Sequence, residues 1–327
     1  MSFLERKTVL LTGGTGSFGK AFIDKVLKED ELEKLIVFSR DELKQFELAG
    51  SISSNKVEFC LGDVRDYQRL LRVSSGVDVI IHAAAMKQIP ASELNPIEAI
   101  KTNIIGAENI VNAAIENGVS KVLALSTDKA ANPANLYGAT KLCSDKLMIA
   151  GNELSRDSKT RFSAVRYGNV LGSRGSVIPF FLEQAKLGSI PITDERMTRF
   201  WLTIEQAVDF VLSSVDLMHG GEIFVPRIPS FKVTDVAKVV CPGVPTRVVG
   251  IRPGEKLHEI MITEDDAHYT FEFESYYVIA SPGLMKLGVI QKRGKKVEED
   301  FRFSSEVNPL WHTIESFRST LIESGIL

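Results

Sequence analysis

Apolar residues in this chain fall into short runs separated by amphipathic stretches. The first run, KTVLLT over 7–12, is followed after a glycine-rich turn by KAFIDKVLKED, apolar at Phe22, Ile23, Val26 and Leu27. Spacings of three and four place those side chains on one face of a helix. The alternation repeats. KLIVFSR and KVEFCLGDV read as a second and third strand, YQRLLRVSS as a helix, VDVIIHAAAMK as a fourth strand, 96–117 as a long helix and KVLALST as a fifth strand. A helix from about Tyr137 to about Arg156 and a sixth strand, RFSAVRYGNV, complete the series. Strands alternating with helices of this length predict an α/β fold, a doubly wound parallel (Rossmann) sheet.

The pattern changes after position 171. Residues 172–202 are rich in Gly, Pro and isolated arginines, 203–218 return to helical spacing, and EIFVP reads as a strand. From about 228 onward the chain is irregular and carries Arg252-Pro253-Gly254-Glu255-Lys256-Leu257-His258. The expected division is a dinucleotide-binding core over 1–171 with 203–226 returning to it. Residues 172–202 and 227–327 would form a smaller C-terminal substrate-binding lid. Arginines and glycines in loops beyond the strand ends suit a nucleotide-sugar diphosphate.

The turn after the first strand reads Thr12-Gly13-Gly14-Thr15-Gly16-Ser17-Phe18-Gly19. Between a strand and a helix, Gly13 permits the tight turn, Gly16 lets the backbone approach a pyrophosphate, and Gly19 allows close helix–strand packing. The pyrophosphate would sit on the helix N-terminus. The second strand ends at Ser39-Arg40, where an NAD enzyme usually carries an acid for the ribose 2′-OH. A hydroxyl and a guanidinium there, with Lys44 nearby, suit a 2′-phosphate and so NADP. Asp41 and Glu42 follow at once, and the other reading of Arg40 is a solvated turn residue. Asp63-Val64 would lie by the adenine, and the small Ala83 and Ala84 leave room for the cofactor. Lys87 reads as a phosphate or substrate contact, or else as a solvated loop lysine, and His82 as a packed core residue.

A second constellation is Ser126-Thr127-Asp128-Lys129, followed by Tyr137 and Lys141. Four apart on a helix, Tyr137 and Lys141 share a face. A cation beside a phenol lowers its pKa towards that of a usable base. Thr127 offers a hydroxyl to a substrate oxygen, and Asp128 and Lys129 add an acid and a base. The bland reading is a surface tyrosine and a solvated lysine.

Composition removes other classes. The chain has 327 residues, 25% charged and 44% apolar, with net charge −3. That is an ordinary globular composition without the basic field a nucleic-acid backbone needs. Cys60, Cys143 and Cys241 are scattered and odd in number, so neither a disulfide framework nor a metal site is expected. The start is unlike a signal peptide, and no run approaches the roughly 18 apolar residues of a membrane span. A cytoplasmic protein without membrane contact is expected.

TGGTGSFG, HAAA and YGATK resemble the extended short-chain dehydrogenases/reductases that act on nucleotide sugars, over nearly the whole chain. STDKAANPANLYGATK, RYGNVLGSRGSVIPFF and GIRPGEKLHE resemble, more narrowly, the inverting UDP-N-acetylglucosamine 4,6-dehydratases. That resemblance implies tightly bound NADP regenerated in each turnover, a homo-oligomer (often a hexamer), and UDP-N-acetylglucosamine as substrate. It further implies the first step of pseudaminic acid synthesis, for glycosylation of surface structures or flagellin. In this frame Tyr137, supported by Lys141, takes the O4 proton while Thr127 holds that oxygen. Lys129 takes the C5 proton as a neutral amine, its pKa depressed by burial and by Lys141. Asp128 protonates the departing C6 hydroxyl. Substrate contacts fall to Lys87, Asn169, Arg174, Arg199, Arg252 and Glu255. Retaining relatives resemble Asp-Glu where this chain has Asp128-Lys129, and inversion, uridine and the N-acetyl group rest on the resemblance. The competing readings are a nucleotide-sugar 4-epimerase, which has no need of the acid and base after Thr127, and a non-catalytic NADP-sensing scaffold.

Overall fold

The computed structural model describes residues 3–29, 32–156, 158–173 and 175–327. Six strands follow the predicted runs: β1 Thr8–Thr12, β2 Lys34–Ser39, β3 Val57–Leu61, β4 Val79–His82, β5 Lys121–Thr127 and β6 Arg161–Tyr167. They pair in parallel in the order β3-β2-β1-β4-β5-β6, and Glu222–Pro226 adds a seventh parallel strand beside β6. β1 and β4 present unbroken buried residues, Val9–Thr12 and Val79–His82. That is what a strand covered by helices on both faces requires. Helix α1, Ser17–Glu29, lays Phe22, Ile23 and Val26 into this core.

Two elements carry local devices that matter later. The predicted long helix at 96–117 is Pro96–Ile100 and Gly106–Glu116 joined by a π turn, Lys101–Ile105. Such a bulge redirects side chains and is common near functional sites. The helix bearing Tyr137 spans Leu136–Leu154 and is capped by Asn135, whose Oδ1 accepts from Gly138 N at 2.8 Å. The cap leaves the amide nitrogen for a distant partner, and Asn135 Nδ2 donates to Gly254 O at 2.8 Å.

The C-terminal part is divided differently from the expectation. Tyr276–Ala280 pairs antiparallel with Glu222–Pro226, and Thr270–Glu272 and Lys295–Lys296 follow it, so ten strands form one sheet. Residues 270–296 therefore extend the core sheet and do not belong to a separate lid. The reason is burial: Tyr277, Val278, Ile279 and Ala280 are all buried in the principal core.

The second unit is assembled from three segments. Asn169–Val170, Thr198–Leu202 and Ser230–Lys232 form a small sheet, Ile190–Ile192 pairs with Thr246–Val248, and Ile260–Ile262 pairs with Phe303–Ser304. Its own core packs Phe317 of the last helix, Ile314–Glu323, on Phe231 at 4.4 Å and edge-on to Trp201 at 5.8 Å between ring centroids. Because Phe317 is fully buried, Phe317→Ala is expected to cost about 3–5 kcal/mol by urea denaturation, the range for deleting a core aromatic. A loss below about 1 kcal/mol would mean that the last helix does not close this core.

Candidate active site

In a parallel sheet of this kind ligands bind outside the carboxyl ends of the strands. A cleft of about 570 Å³ lies there, walled by the ends of β1, β2, β4 and β5, the first turn of α1, and Tyr137, Lys141, Tyr167 and Asn169. Gly13 has φ +71°, and a Cβ on it would lie 2.8 Å from Ala84 N. A Cβ on Gly19 would lie 2.3 Å from Gly14 O. Both positions thus demand glycine, Gly13 for the turn and Gly19 for close packing of α1 on that turn, where a contact with the strand itself was expected. The first turn of α1 carries no acid, which suits an anion at that helix N-terminus. Thr15, Gly16, Ser17 and Phe18 line the cleft with Gly13 and Gly19, whereas Thr12 and Gly14 do not. Thr12 is buried, its hydroxyl 2.8 Å from Nδ1 of the equally buried His82.

At the end of β2, Arg40 and Lys44 line the cleft, with Arg40 exposed and 3.8 Å from Asp63. Ser39 is buried and accepts from Gln45 Nε2 at 3.0 Å. Asp63 is held below the usual carboxylate range: burial opposes this, but hydrogen bonds from Arg65 and the charge of Arg40 outweigh it. Val64, Ala83, Ala84 and Lys87 also line the cleft. The residues present fit a dinucleotide: a glycine cradle at a helix N-terminus, a small-residue floor, and two cations at the β2 end.

The end of β5 gathers the other constellation. Thr127, Lys129, Tyr137 and Lys141 reach the cleft, while Asp128 is fully buried behind them. Asp128 Oδ1 accepts from Thr127 Oγ1 and from Lys129 Nζ, both at 2.9 Å. Among the described residues its Oδ2 has no hydrogen-bond partner. Burial raises the Asp128 pKa and Glu259 adds to the rise, against Lys129 and Thr127. A carboxyl in that position keeps a proton readily. Beneath the loop, Asp145 accepts from Ser126 Oγ at 2.7 Å and pairs with buried Arg166 at 3.3 Å.

Two expectations are corrected here. Burial pushes Tyr137 up to about 12, and the charge of Lys129, helped by the Thr127 hydroxyl, partly offsets this. Lys141 is instead the group lowered, by its own burial and against Asp145. Lys129 is not held neutral. Burial pulls it down, but the carboxylates of Asp128 and Glu259 more than offset that and stabilise the ammonium. Glu259 stands 3.5 Å from Lys129 Nζ.

The candidate substrate contacts divide. Lys87 and Asn169 line the cleft, and Asn169 Oδ1 is buried with no partner among the described residues. Arg199, Arg252 and Glu255 do not line it. Arg199 donates to the carbonyls of Thr198, Leu257 and Lys256, and Arg252 is bound to Glu255 from Nε at 2.9 Å. Arg252 is taken up by its own loop, and Arg199 largely by the carbonyls of the 256–257 segment. Arg174 lies outside the described residues.

Residues that sequence reasoning missed are tied to the site by distant contacts. Asn103, on the π turn, spans Met86 with bonds of 2.8 Å from its N–H and 2.9 Å to its carbonyl, and also reaches Thr140 Oγ1 at 2.9 Å. It fixes the Ala83–Lys87 loop against the helix of Tyr137. Glu259 stands at the end of the quoted GIRPGEKLHE, but nothing in that string aims it at Lys129. Among the described residues no group of three or more side chains suited to a metal is present, and no helix is long and apolar enough to cross a membrane.

The doubly wound sheet, the glycine turn and the Tyr137–Lys141 helix define an extended short-chain dehydrogenase/reductase. The chain belongs to the polysaccharide biosynthesis protein family, whose model matches residues 9–281. It is 53% identical over 315 residues to an inverting UDP-N-acetylglucosamine 4,6-dehydratase of Campylobacter jejuni, covering 93% of this chain and 94% of that protein. It is 42% identical over 286 residues to a UDP-glucose 4-epimerase of Rickettsia bellii, covering 85% and 84% respectively. Among solved structures, Pen from Bacillus thuringiensis superposes with a TM-score of 0.92 at 35% identity, over 99% of this chain and all of that one. DesIV of Streptomyces venezuelae, a dTDP-glucose 4,6-dehydratase solved with NAD, shares the fold with a TM-score of 0.69 at 22% identity, over 76% of this chain and 86% of that one.

The buried His82 yields a pH prediction. Burial, helped by Lys141, lowers its pKa to about 3, while the unfolded chain takes up that proton near pH 6.5. Its contribution to stability is therefore complete above pH 6.5 and lost as pH falls, by about 1.4 kcal/mol per unit. Urea denaturation at pH 6.5 and 5 should show a drop about 2 kcal/mol larger in the parent than in His82→Asn. Equal drops in the two proteins would show that His82 takes up its proton without unfolding.

Proposed function

We propose that the protein is a UDP-N-acetylglucosamine 4,6-dehydratase that inverts C5, using a resident nicotinamide dinucleotide, NADP, and belonging to the first step of pseudaminic acid synthesis. The observation that carries this is the Asp128–Lys129 pair, hydrogen-bonded at 2.9 Å behind the wall that also bears Tyr137. A 4-epimerase needs Tyr137 and Lys141 and has no use for that pair. The Campylobacter relative bears the dehydratase name at higher identity than the Rickettsia protein bears the epimerase one. The homo-oligomer and the cytoplasmic location are carried over from the resemblance alone.

The C5 proton of a sugar is not acidic until C4 is a ketone. The cofactor supplies that chemistry when bound, accepting hydride from C4 and returning it to C6 without net consumption. Gly13, Gly16, Gly19 and the α1 N-terminus would hold its pyrophosphate, and Arg40 and Lys44 its 2′-phosphate.

The chain's own groups handle the protons. Tyr137 takes the O4 proton, and Thr127 and the Lys129 charge ease its ionisation against burial. Lys129 faces C5. An ammonium cannot be a base, but moving one proton along its hydrogen bond to Asp128 Oδ1 turns the ion pair into a neutral amine and a carboxylic acid. Those are the base for C5 and the acid for the C6 hydroxyl, and the total proton count is unchanged. The raised Asp128 pKa and its dry setting bring the neutral pair within reach. Asp128 has no surface of its own in the cleft, so its proton passes by way of Lys129 or Thr127, which both bond its Oδ1.

The test is NMR of the protein with UDP-N-acetylglucosamine in D₂O and no added cofactor. The expected product is the 4-keto-6-deoxy sugar with deuterium at C5, its C4 hydrogen now on C6, and couplings of the L-arabino configuration. Retained C5 configuration would remove the inverting assignment and leave the dehydratase one. A C4-inverted product with an intact 6-hydroxyl would establish the epimerase instead.

Protein denatured after purification should release NADP, and Arg40→Ala should weaken NADP binding by about 1.5–3 kcal/mol, the value of a hydrogen bond to a charged group. Release of NAD in place of NADP would remove the role given to Arg40.

A further inference from the structure

The reading of Tyr137, Asp128 and Lys129 requires no acid from the C-terminal half, yet Glu259 brings one to the catalytic loop. Glu259 is 3% exposed. Its Oε1 stands 3.5 Å from Lys129 Nζ and 3.6 Å from Arg199 Nε, and its Oε2 stands 3.9 Å from Lys256 Nζ. Its backbone is fixed on both sides, Glu259 N donating to Ser305 Oγ at 2.9 Å and Ser305 N donating to Glu259 O at 2.8 Å. The charged groups facing it are Lys129 and Asp128 from the loop, Arg199 from the small sheet and Lys256 from its own segment. A bland reading makes Glu259 a bridge between two parts of the fold. Lys256 already bridges the two parts by donating to Ala131 O at 2.8 Å, Arg199 pairs with Glu259 within the C-terminal part, and neither cation reaches the cleft. Lys129 does.

We infer that Glu259 is a positioning residue for the proton transfer: it holds Lys129 Nζ at the cleft wall and governs how readily that amine gives its proton to Asp128. The inference deepens the reading of Lys129 as the group that exchanges a proton with the substrate. The transfer moves one proton from Lys129 Nζ to Asp128 Oδ1, leaving a neutral amine and a neutral carboxyl. The charge of Glu259 stabilises the ammonium and so opposes the transfer. Arg199 and Lys256 lie on the same carboxylate and moderate that opposition. The substrate thus meets a base whose strength is set from the other half of the molecule, while Asp128 holds the proton.

Two readouts test this. The first is independent of turnover: brief acetylation of the protein as purified with acetic anhydride at pH 8, with Lys129 followed by peptide mass spectrometry against the exposed Lys238. An opposite charge at this range shifts a pKa by about 1–3 units. Glu259→Gln should therefore raise Lys129 labelling by about tenfold or more, and Glu259→Asp, which keeps the charge but withdraws it by one methylene, by less. The second is the pH profile of dehydration. In Glu259→Gln the limb assigned to Lys129 should move to lower pH by about one unit or more, with KM little changed. Lys129 labelling and limb both unchanged in a Glu259→Gln protein of parental circular dichroism would overturn the inference. If that variant does not fold, unchanged labelling in Glu259→Asp overturns it equally. Normal turnover by Lys129→Ala alongside shifted labelling would remove the catalytic reading of Lys129 and leave its control by Glu259 standing.

Discussion

The structure depends on keeping charge in a dry place at the end of β5. Asp128, Asp145, Lys141 and Arg166 are each 2% exposed or less, and Glu259 is 3%. An isolated buried charge is costly, and these survive because each faces another or is hydrogen-bonded. Asp145 is held between Ser126 and Arg166, and Asp128 between Thr127 and Lys129. The parallel sheet makes this possible. Its neighbouring strands are in register from Lys121–Arg161 to Thr127–Tyr167, which brings the tips of β5 and β6 to the same edge of the core. Burial is also what separates the two members of the reactive pair, since it favours a proton on Asp128 while the surrounding carboxylates favour one on Lys129.

The same constraint shows why Tyr137 cannot be understood from its helix alone. Four residues separate it from Lys141, and that spacing was visible in the sequence as a one-face pair. In the folded protein burial dominates both, moving the phenol up and the amine down. The charge that eases phenol ionisation comes from Lys129, eight positions earlier and on the loop that the helix packs against. That packing is close: a Cβ on Gly138 would lie 2.2 Å from Lys129 O. Glycine immediately after the tyrosine lets loop and helix approach.

What was legible in the sequence is what neighbours in the chain determine. The runs of β1 to β6, the glycine turn and the Thr127–Lys141 motif are local patterns, and local patterns specify strands, turns and helix faces. The strands of 270–296 were not legible because they are short and pair antiparallel, outside the strand–helix alternation of β1 to β6. Only their pairing with Glu222–Pro226 shows that they belong to the main sheet. Asn103 looked like any helix residue, and its clamp on Met86 exists only because a π turn rotates it there. Arg199 and Arg252 looked like anion contacts because loop arginines often are, but neighbouring carbonyls and Glu255 already take up their donors. Composition does not reveal which partner a guanidinium finds first.

The division into a cofactor half and a substrate half is, for this reason, less clean than the sequence suggests. The loop from Asp128 to Asn135 is held from the C-terminal side at three points: Lys129 by Glu259, Ala131 O by Lys256 at 2.8 Å, and Asn135 Nδ2 by Gly254 O at 2.8 Å. All three partners lie within six residues of one another, on a segment whose own anchor is Ser305. A change of position in that segment alters both the charge beside Lys129 and the cap of the helix that carries Tyr137. The end of β5 and the segment 254–259 are therefore tied together by backbone and carboxylate contacts already present in the folded chain. For the proposed reaction, such contacts would carry binding energy from the nucleotide end of a substrate to the sugar.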